Sequence, residues 1–239
     1  MKTSMKYVMQ LCFCIWVINR IFPVEHLMEH QAFTILFYAG ICINIVILVL
    51  GLTAFLMPKF AKRHRKNVDE NVYKYIIHDL DNKNAEILLR NIANAKILSA
   101  RKKTASCNGC YGCWLKTPGL CVKHDSIEAA GKEIACCSEL IIISKNLYGG
   151  LSKEIKKILD RSISFALPFF AVRNNEQHHQ LRYTNDRKMK VCIYNSNEIS
   201  DADRNTLTEI TKANCINMDV NRHEIIYVQN IHELNEVLK

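Results

Sequence analysis

A stretch of 26 residues without a charged side chain, Ala32–Met57, most constrains how this 239-residue chain can fold. As a helix rising about 1.5 Å per residue, the stretch is roughly 39 Å long, more than the ~30 Å hydrocarbon core of a bilayer. Its middle, residues 41–50, is too uniformly apolar for the surface helix of a globular protein. We therefore predict a transmembrane helix over residues 32–57. The alternative is a helix buried in a protein core.

Flanking charges predict the orientation of this helix. Residues 23–30 contain two glutamates and no lysine or arginine. Five basic residues directly follow the stretch: Lys59, Lys62, Arg63, Arg65 and Lys66. By the positive-inside rule, the sequence predicts a cell-membrane protein whose residues after Pro58 lie on the cytoplasmic side. Residues 59–71 are then a basic juxtamembrane linker that contacts lipid headgroups.

Residues 7–22 form a second, weaker hydrophobic run that is interrupted by Asn19 and Arg20. Lys2 and Lys6 precede it, so it is either a first transmembrane helix or the apolar core of a signal peptide. No small-x-small cleavage motif follows, which favours an uncleaved helix. Residues 1–58 are thus predicted to be a membrane anchor of one or two helices.

From residue 72 onward, short apolar runs alternate with helical patterns. The predicted strands are residues 72–77, 95–100, 139–144, 189–194 and 224–228. The predicted helices are residues 84–95, 126–136, 152–165, 201–213 and 231–238. This alternation predicts an α/β domain over residues 72–239, with a flavodoxin-like doubly wound five-stranded parallel sheet. Ligands of such sheets bind beyond the carboxyl ends of the strands.

Charge and motifs exclude several function classes. Residues 72–239 contain 24 lysines and arginines against 19 aspartates and glutamates, a difference of only +5, so we predict no nucleic-acid partner. The sequence has no glycine-rich dinucleotide fingerprint, P-loop or nucleophile elbow, so kinase, NTPase and hydrolase functions have no support.

Four of the eleven cysteines stand close together: Cys107, Cys110, Cys113 and Cys121. Disulfides are not expected on the cytoplasmic side. Three cysteines at consecutive two-residue intervals with a fourth nearby are typical of a loop around a [4Fe–4S] cluster, and three glycines in the run would let the backbone curl around it. A zinc site and a metal-free loop are the alternatives.

The run Cys107–Cys113 (CNGCYGC), followed by residues 119–125 (GLCVKHD), resembles the flavodoxin-like superfamily of NADPH-dependent FMN reductases and iron–sulfur flavoproteins. So do residues 139–144 (ELIIIS), 148–152 (YGGLS) and 158–163 (ILDRSI). The resemblance covers roughly residues 72–239. It implies FMN, an NAD(P)H or ferredoxin-type electron donor, FMN reductase-like activity and a homo-oligomer.

The resemblance also implies site residues. The metal ligands would be Cys107, Cys110, Cys113 and Cys121. The loop along the isoalloxazine ring would hold Tyr148, Gly149, Gly150 and Ser152, with Asn146 just before it. The pair Asp160-Arg161 would be structural and complete its helix.

One loop departs from the family pattern. Residues 78–84 (HDLDNKN) follow the first predicted strand, where such proteins bind the FMN phosphate with Ser or Thr hydroxyls and helix N-terminal amides. This loop has no Ser or Thr, and Asp79 and Asp81 would repel the phosphate. Asn82, Lys83 and Asn84 are the residues that would compensate and form the predicted phosphate site.

Three hypotheses follow. The first is a membrane-anchored flavodoxin-like oxidoreductase or electron-transfer protein that carries FMN and, in its fullest form, a [4Fe–4S] cluster. The second is an interaction module with the same fold and a cofactor-poor site. The third is a zinc or thiol sensor that uses the four cysteines alone.

Overall fold

The computed structural model describes residues 31–64, 66–67, 73–90, 92–195 and 199–238. These residues form two compact units that divide after Lys59. The first contains most of helix α1, Gln31–His64, in which the apolar side chains of residues 45–50 are exposed. The side chains of α1 are described for residues 38–53 and 56. The predicted helix over residues 7–22 lies outside the described residues.

A transmembrane helix is not supported. Within the part of the chain that the structure describes, no helix is both long enough and apolar enough to cross a membrane.

A five-stranded parallel sheet is the centre of the second unit, as predicted. The strands among the described residues, which also form two small two-stranded sheets, are β1 (Lys66–Asn67), β2 (Lys74–His78), β3 (Ala95–Ser99), β4 (Glu139–Lys145), β5 (Ala166–Arg173), β6 (Glu176–Leu181), β7 (Tyr183–Thr184), β8 (Lys188–Tyr194) and β9 (Arg222–Tyr227). The sheet has the order β3-β2-β4-β8-β9, which is the flavodoxin-like doubly wound order 2-1-3-4-5. Ile77 of β2 lies between Leu98 of β3 and Ile142 of β4.

Helices cover both faces of the sheet and build two hydrophobic cores. They are α2 (Asn82–Leu89), α3 (Gly112–Leu115), α4 (Ala130–Cys136), α5 (Lys153–Arg161), α6 (Asp201–Met218) and α7 (Leu234–Val237), with 3-10 helices at Ser162–Phe165 and Ile231–Glu233. Residues of α4, α5 and α6 pack on one face, around Ile142. Residues of α2 and α7 pack on the other, around Ile143. Central strand β4 is buried from Leu140 to Ser144, which explains its continuous apolar run.

The antiparallel hairpin of β5 and β6 was not predicted from the sequence. Asn174 and Asn175 connect its strands, both with positive φ, as the two-residue turns of hairpins require. Arg173 attaches the hairpin to the end of α6, because its guanidinium donates to the carbonyls of Ile216 (3.0 Å) and Asn217 (3.3 Å). The hairpin thereby lies next to α6 and extends the fold beyond the predicted sheet.

Candidate functional site

The loops after β2 and β4 meet at the carboxyl edge of the sheet. Asp79, which is buried, donates its backbone N–H to the carbonyl of Ile143 (3.2 Å) and accepts through Oδ2 from the N–H of Lys145 (3.1 Å). A carboxylate in this loop therefore joins the two loops that form the rim of a doubly wound sheet. Sequence reasoning treated Asp79 only as a charge that repels phosphate and missed this connecting role.

The N-terminus of α2, the predicted phosphate site, is closed by its own chain. Asp81 caps the helix, accepting at Oδ1 from the N–H of Asn84 (2.9 Å) and at Oδ2 from the Asn84 side-chain amide (2.6 Å). These hydrogen bonds lower the pKa of Asp81, so the cap is a charged carboxylate at neutral pH. Asn82 and Lys83 lie exposed in the first turn, but the Asn84 amide is already engaged.

The loop after β4 is a tight turn with an exposed aromatic side chain at its tip. Leu147 and Gly150 exchange two backbone hydrogen bonds (3.0 and 2.9 Å), and Asn146 Oδ1 accepts from the N–H of Gly149 (3.2 Å). Tyr148 and Gly149 both have positive φ, of 50° and 73°. Tyr148 is 90% exposed. The turn therefore holds a phenol ring in solvent beside the sheet rim.

Gly149 and Ser152 have structural roles in this loop. A side chain at Gly149 would meet the Asp203 carbonyl at 2.9 Å, so the turn packs closely on the start of α6. Ser152 caps α5, where its hydroxyl accepts from the N–H of Ile155 (3.4 Å). Its own N–H donates to Ser144 Oγ (2.8 Å). Gly149 has no side chain that could bind a ligand, and the Ser152 hydroxyl is already engaged as a helix cap.

Tyr194, at the end of β8, adds a phenol to the rim that sequence reasoning did not single out. Burial is the main cause that raises its pKa, followed by the nearby carboxylates of Asp79 and Asp81. Tyr194 therefore keeps its proton at neutral pH. A strand-end position was the only sequence signal that could have identified it.

His78, the last residue of β2, gives a prediction about pH. It is buried, its Nδ1 has no hydrogen-bond partner among the described residues, and burial lowers its pKa to about 4. The unfolded chain, with an ordinary histidine pKa near 6.5, then binds more protons between pH 6.5 and 4. We expect the free energy of unfolding to fall by about 3 kcal/mol over this range because of His78 alone. Urea titrations of the wild type and His78→Gln at pH 7 and pH 4 measure this contribution: the fall in the free energy of unfolding between the two pH values should be about 3 kcal/mol smaller in the variant.

Of the four clustered cysteines, Cys107 and Cys110 lie on a segment without regular structure that leads into α3. Cys113 lies within α3, and Cys121 follows that helix. Cys107 and Cys110 are exposed, Cys113 is buried and Cys121 is half-buried, and all four are free thiols. Burial is the main cause that raises the pKa of Cys113, and the other three sulfurs raise it further. The four thiols are thus close enough to interact electrostatically.

A metal site at these cysteines is not supported. Within the described part of the chain, no group of three or more His, Cys, Asp or Glu side chains is arranged to hold a metal ion. The geometry therefore fits neither the predicted [4Fe–4S] cluster nor zinc. The spacing of the cysteines in the sequence predicted a metal site. In the structure Cys107 and Cys110 are exposed, whereas Cys113 is buried.

A buried ion pair fixes the cysteine loop, which we define as residues 104–125. Arg161, whose side chain is 0% exposed, pairs with Asp125 Oδ2 at 2.5 Å. Its guanidinium also donates to the carbonyls of Ala105 (3.1 Å) and Lys123 (3.0 Å). Arg161 therefore has the structural role that the resemblance implied, although its partner is Asp125 rather than its neighbour Asp160.

The adjacent histidines 178 and 179 connect the hairpin to its surroundings. The His179 ring packs on Trp114 of α3 (centroids 4.9 Å apart) and stacks on Phe170 (5.1 Å). His178 Nδ1 lies 3.0 Å from Asn217 Oδ1. His178 Nε2 also lies 3.3 Å from Glu176 Oε2, whereas His179 Nδ1 has no hydrogen-bond partner among the described residues. His178 is thus a hydrogen-bonding group and His179 mainly a packing group.

A cleft of about 430 Å³ lies beside the cysteine loop at the start of α5. It is lined by Ser106, Cys107, Lys153, Glu154, Lys156, Lys157 and Asp160. Its three lysines and two carboxylates give it a formal charge of +1. Sequence reasoning missed this cleft, because the lysines and Cys107 are more than 40 residues apart in the chain.

Comparisons with known proteins show distant likeness in shape. No protein-family model matches the chain. No curated protein matches it either. Among solved structures, an FMN-dependent NADH-azoreductase from Bacillus anthracis in complex with FMN is 11% identical, with a TM-score of 0.44 over 70% of this chain and 97% of its own.

Two further solved structures are similar to the same degree. An NAD(P)H:quinone oxidoreductase from Methanothermobacter marburgensis is 11% identical (TM-score 0.44, 70% of this chain and 93% of its own). General stress protein 14 from Treponema denticola, in complex with FMN, is also 11% identical (TM-score 0.41, 70% and 93%). At this distance the function has to be argued from the residues of this chain.

Proposed function

We propose that this chain is a flavodoxin-like oxidoreductase that binds a planar redox ring, a flavin, at the carboxyl edge of its sheet. Tyr148 is the observation that carries the proposal. Its ring is 90% exposed on a turn closed by three hydrogen bonds. An exposed aromatic face on a rigid turn favours stacking with another planar ring. The backbone of Tyr148 has a positive φ, which is a strained conformation for a tyrosine. Such strained residues cluster at functional sites.

The phosphate of FMN does not fit the place where flavodoxin-like proteins bind it. A dianion at the N-terminus of α2 would meet the Asp81 carboxylate, which already accepts the Asn84 N–H. We therefore propose that the protein binds the flavin mainly through its ring. The phosphate of FMN would lie outside the loop between β2 and α2. Asp79 keeps the two rim loops together, and the buried phenol of Tyr194, which hydrogen-bonds to Asp79, packs at the same rim.

As electron donor we propose a nicotinamide nucleotide. The support is the resemblance of residues 107–125 and 139–152 to NAD(P)H-dependent flavin reductases. The test is anaerobic oxidation of NADH and of NADPH by the purified full chain with added riboflavin. A rate equal to that without protein would contradict the proposal.

Replacing Tyr148 by alanine tests the ring site. We expect riboflavin binding, measured by quenching of flavin fluorescence, to weaken about 5- to 10-fold because the stacking face is removed. Tyr148→Phe is the matched control and should bind as the wild type does. Equal affinity of the alanine variant, or no flavin binding by the wild type, would instead support the interaction module.

Replacing Asp81 by serine tests the phosphate argument. Serine also caps helices, so the thermal midpoint should change little, whereas the repulsive charge is removed. We expect FMN to bind about 10-fold more tightly than to the wild type, while riboflavin, which has no phosphate, binds unchanged. Equal FMN affinity would show that the Asp81 charge is not what keeps the phosphate away from α2.

We also propose that the chain is attached to the cytoplasmic face of the cell membrane. The support is the uncharged stretch 32–57 with its basic flank, together with the exposed apolar side chains of residues 45–50. Fractionation of cells that express the full chain and a variant lacking residues 1–58 tests this. Recovery of the full chain in the high-speed supernatant would contradict it.

A further inference from the structure

We infer that Cys107 is a thiol–disulfide exchange site for the disulfide of a small thiol that carries carboxylates, with Cys110 as the second reacting thiol. This inference does not depend on the proposed flavin site. It rests on three observations: the accessibility of the two thiols, the charge and size of the cleft beside Cys107, and the way in which the cysteine loop is held.

Accessibility selects Cys107 and Cys110 among the cysteines of the sheet domain. Burial raises the pKa of Cys137 and Cys192 to about 12 and that of Cys215 to about 11, so these groups remain inert thiols. Cys113 is also buried with a raised pKa. Because the thiolate is the attacking species and needs access, the two exposed sulfurs are the reactive ones.

The cleft beside Cys107 indicates the class of partner. A volume of about 430 Å³ suits a small organic molecule, whereas a peroxide would need no such space. Lys153 and Lys156 lie exposed at its edge, where they pair with Glu154 (3.7 Å) and Asp160 (2.8 Å). With Lys157, the lining keeps an excess of one positive charge. The net positive lining favours carboxylates near the thiol, and glutathione disulfide has this chemistry.

The cysteine loop is held by hydrogen bonds at its ends, and the space beside Gly109 in its first half is open. Arg161 fixes Ala105 and Lys123, and Lys157 donates to the Thr104 carbonyl (3.3 Å), so Cys107 stays beside the cleft. Gly109 has φ of 66°, and a side chain there would meet no atom within 4 Å. The backbone between Cys107 and Cys110 therefore has room to bend until the two sulfurs bond.

The exchange has two balanced steps. The Cys107 thiolate attacks one sulfur of the disulfide RSSR, forming Cys107–S–SR and releasing RS⁻, which takes up a proton. The Cys110 thiolate then attacks Cys107 Sγ, forming the Cys107–Cys110 disulfide and releasing the second RS⁻. Two protein thiols are oxidised, and one RSSR is reduced to two RSH.

Peptide mapping after treatment of the reduced full chain with glutathione disulfide tests the assignment. The tryptic peptide of residues 104–116 contains Cys107, Cys110 and Cys113. We expect it to gain an internal disulfide in the wild type. Cys110→Ser should instead carry one stable glutathionyl group on Cys107, and Cys107→Ser should show neither product. Equal modification of Cys107→Ser and the wild type would overturn the inference.

A second measurement tests the role of the lysines. The double variant Lys153→Gln/Lys156→Gln should react with glutathione disulfide about 10-fold more slowly, because electrostatic attraction is reduced. Its rate with hydroxyethyl disulfide, which is uncharged, should remain within about twofold of the wild type. Lys212→Gln, an exposed lysine of α6 that pairs with Glu209, is the matched control. Equal slowing with both disulfides would overturn the proposed anionic partner.

Discussion

Arg161→Met is expected to lower the free energy of unfolding by about 3–5 kcal/mol, because the substitution leaves the Asp125 carboxylate without its partner in a largely buried position. The Arg161 side chain is 0% exposed and that of Asp125 is 21% exposed. The change also removes the donors to the carbonyls of Ala105 and Lys123. Urea unfolding of the full chain, followed by circular dichroism, measures the loss.

The matched control lies on the same helix. Lys156 forms an exposed ion pair with Asp160 at 2.8 Å, and Lys156→Met should cost about 0.5 kcal/mol or less. In the Arg161 variant, hydrogen exchange should increase across the cysteine loop and stay unchanged in β4. A loss as small as that of Lys156→Met would show that Arg161 does not hold the loop.

The same pair has a pH signature. Burial acts to raise the pKa of Asp125, but hydrogen bonds from Arg161 and two backbone amides outweigh it, so the pKa is lowered. The stabilisation is therefore complete above the ordinary aspartate pKa near 3.9 and is lost as pH falls through the lower folded value. The gap in stability between the wild type and Arg161→Met should narrow in acid below about pH 4.

Gly131→Ala is expected to destabilise the protein by about 3 kcal/mol. In an exposed helix this change stabilises by about 1 kcal/mol, because alanine is the better helix former. Here the new Cβ would overlap the Ser162 carbonyl oxygen and lie 3.0 Å from the Phe165 backbone N, both in the 3-10 helix that follows α5. Because these are backbone atoms, the contact cannot be relieved by rotating a side chain.

Lys132→Ala is the control for this prediction. It is the next residue of α4, is exposed, and also becomes alanine, so its effect should stay within about 0.5 kcal/mol. The denaturant midpoints of the two variants measure the difference in their stability. A neutral or stabilising Gly131→Ala would show that α4 shifts freely away from the 3-10 helix.

The sequence determined the central sheet of this protein. Each predicted strand agrees with an observed one within about two residues, because strands covered on both faces appear as short apolar runs such as Ile141–Ile143. Their alternation with helices was sufficient to predict parallel connections and the strand order. The structural role of Arg161 was also foreseen from the resemblance, whereas the role of Tyr148 beside a flavin ring stays a prediction.

Only the tertiary structure decided what the loops do. The cleft at Cys107 and the attachment of the β5–β6 hairpin depend on contacts between segments far apart in sequence. The N-terminus of α2 is closed because the Asp81 side chain caps its own helix. The four cysteines show the difference most clearly. Their spacing in the sequence is a local pattern. The positions of the sulfurs in space also depend on how the loop backbone is held, and the buried pair of Arg161 with Asp125 holds it. A local pattern cannot predict an ion pair between residues 36 positions apart in the chain.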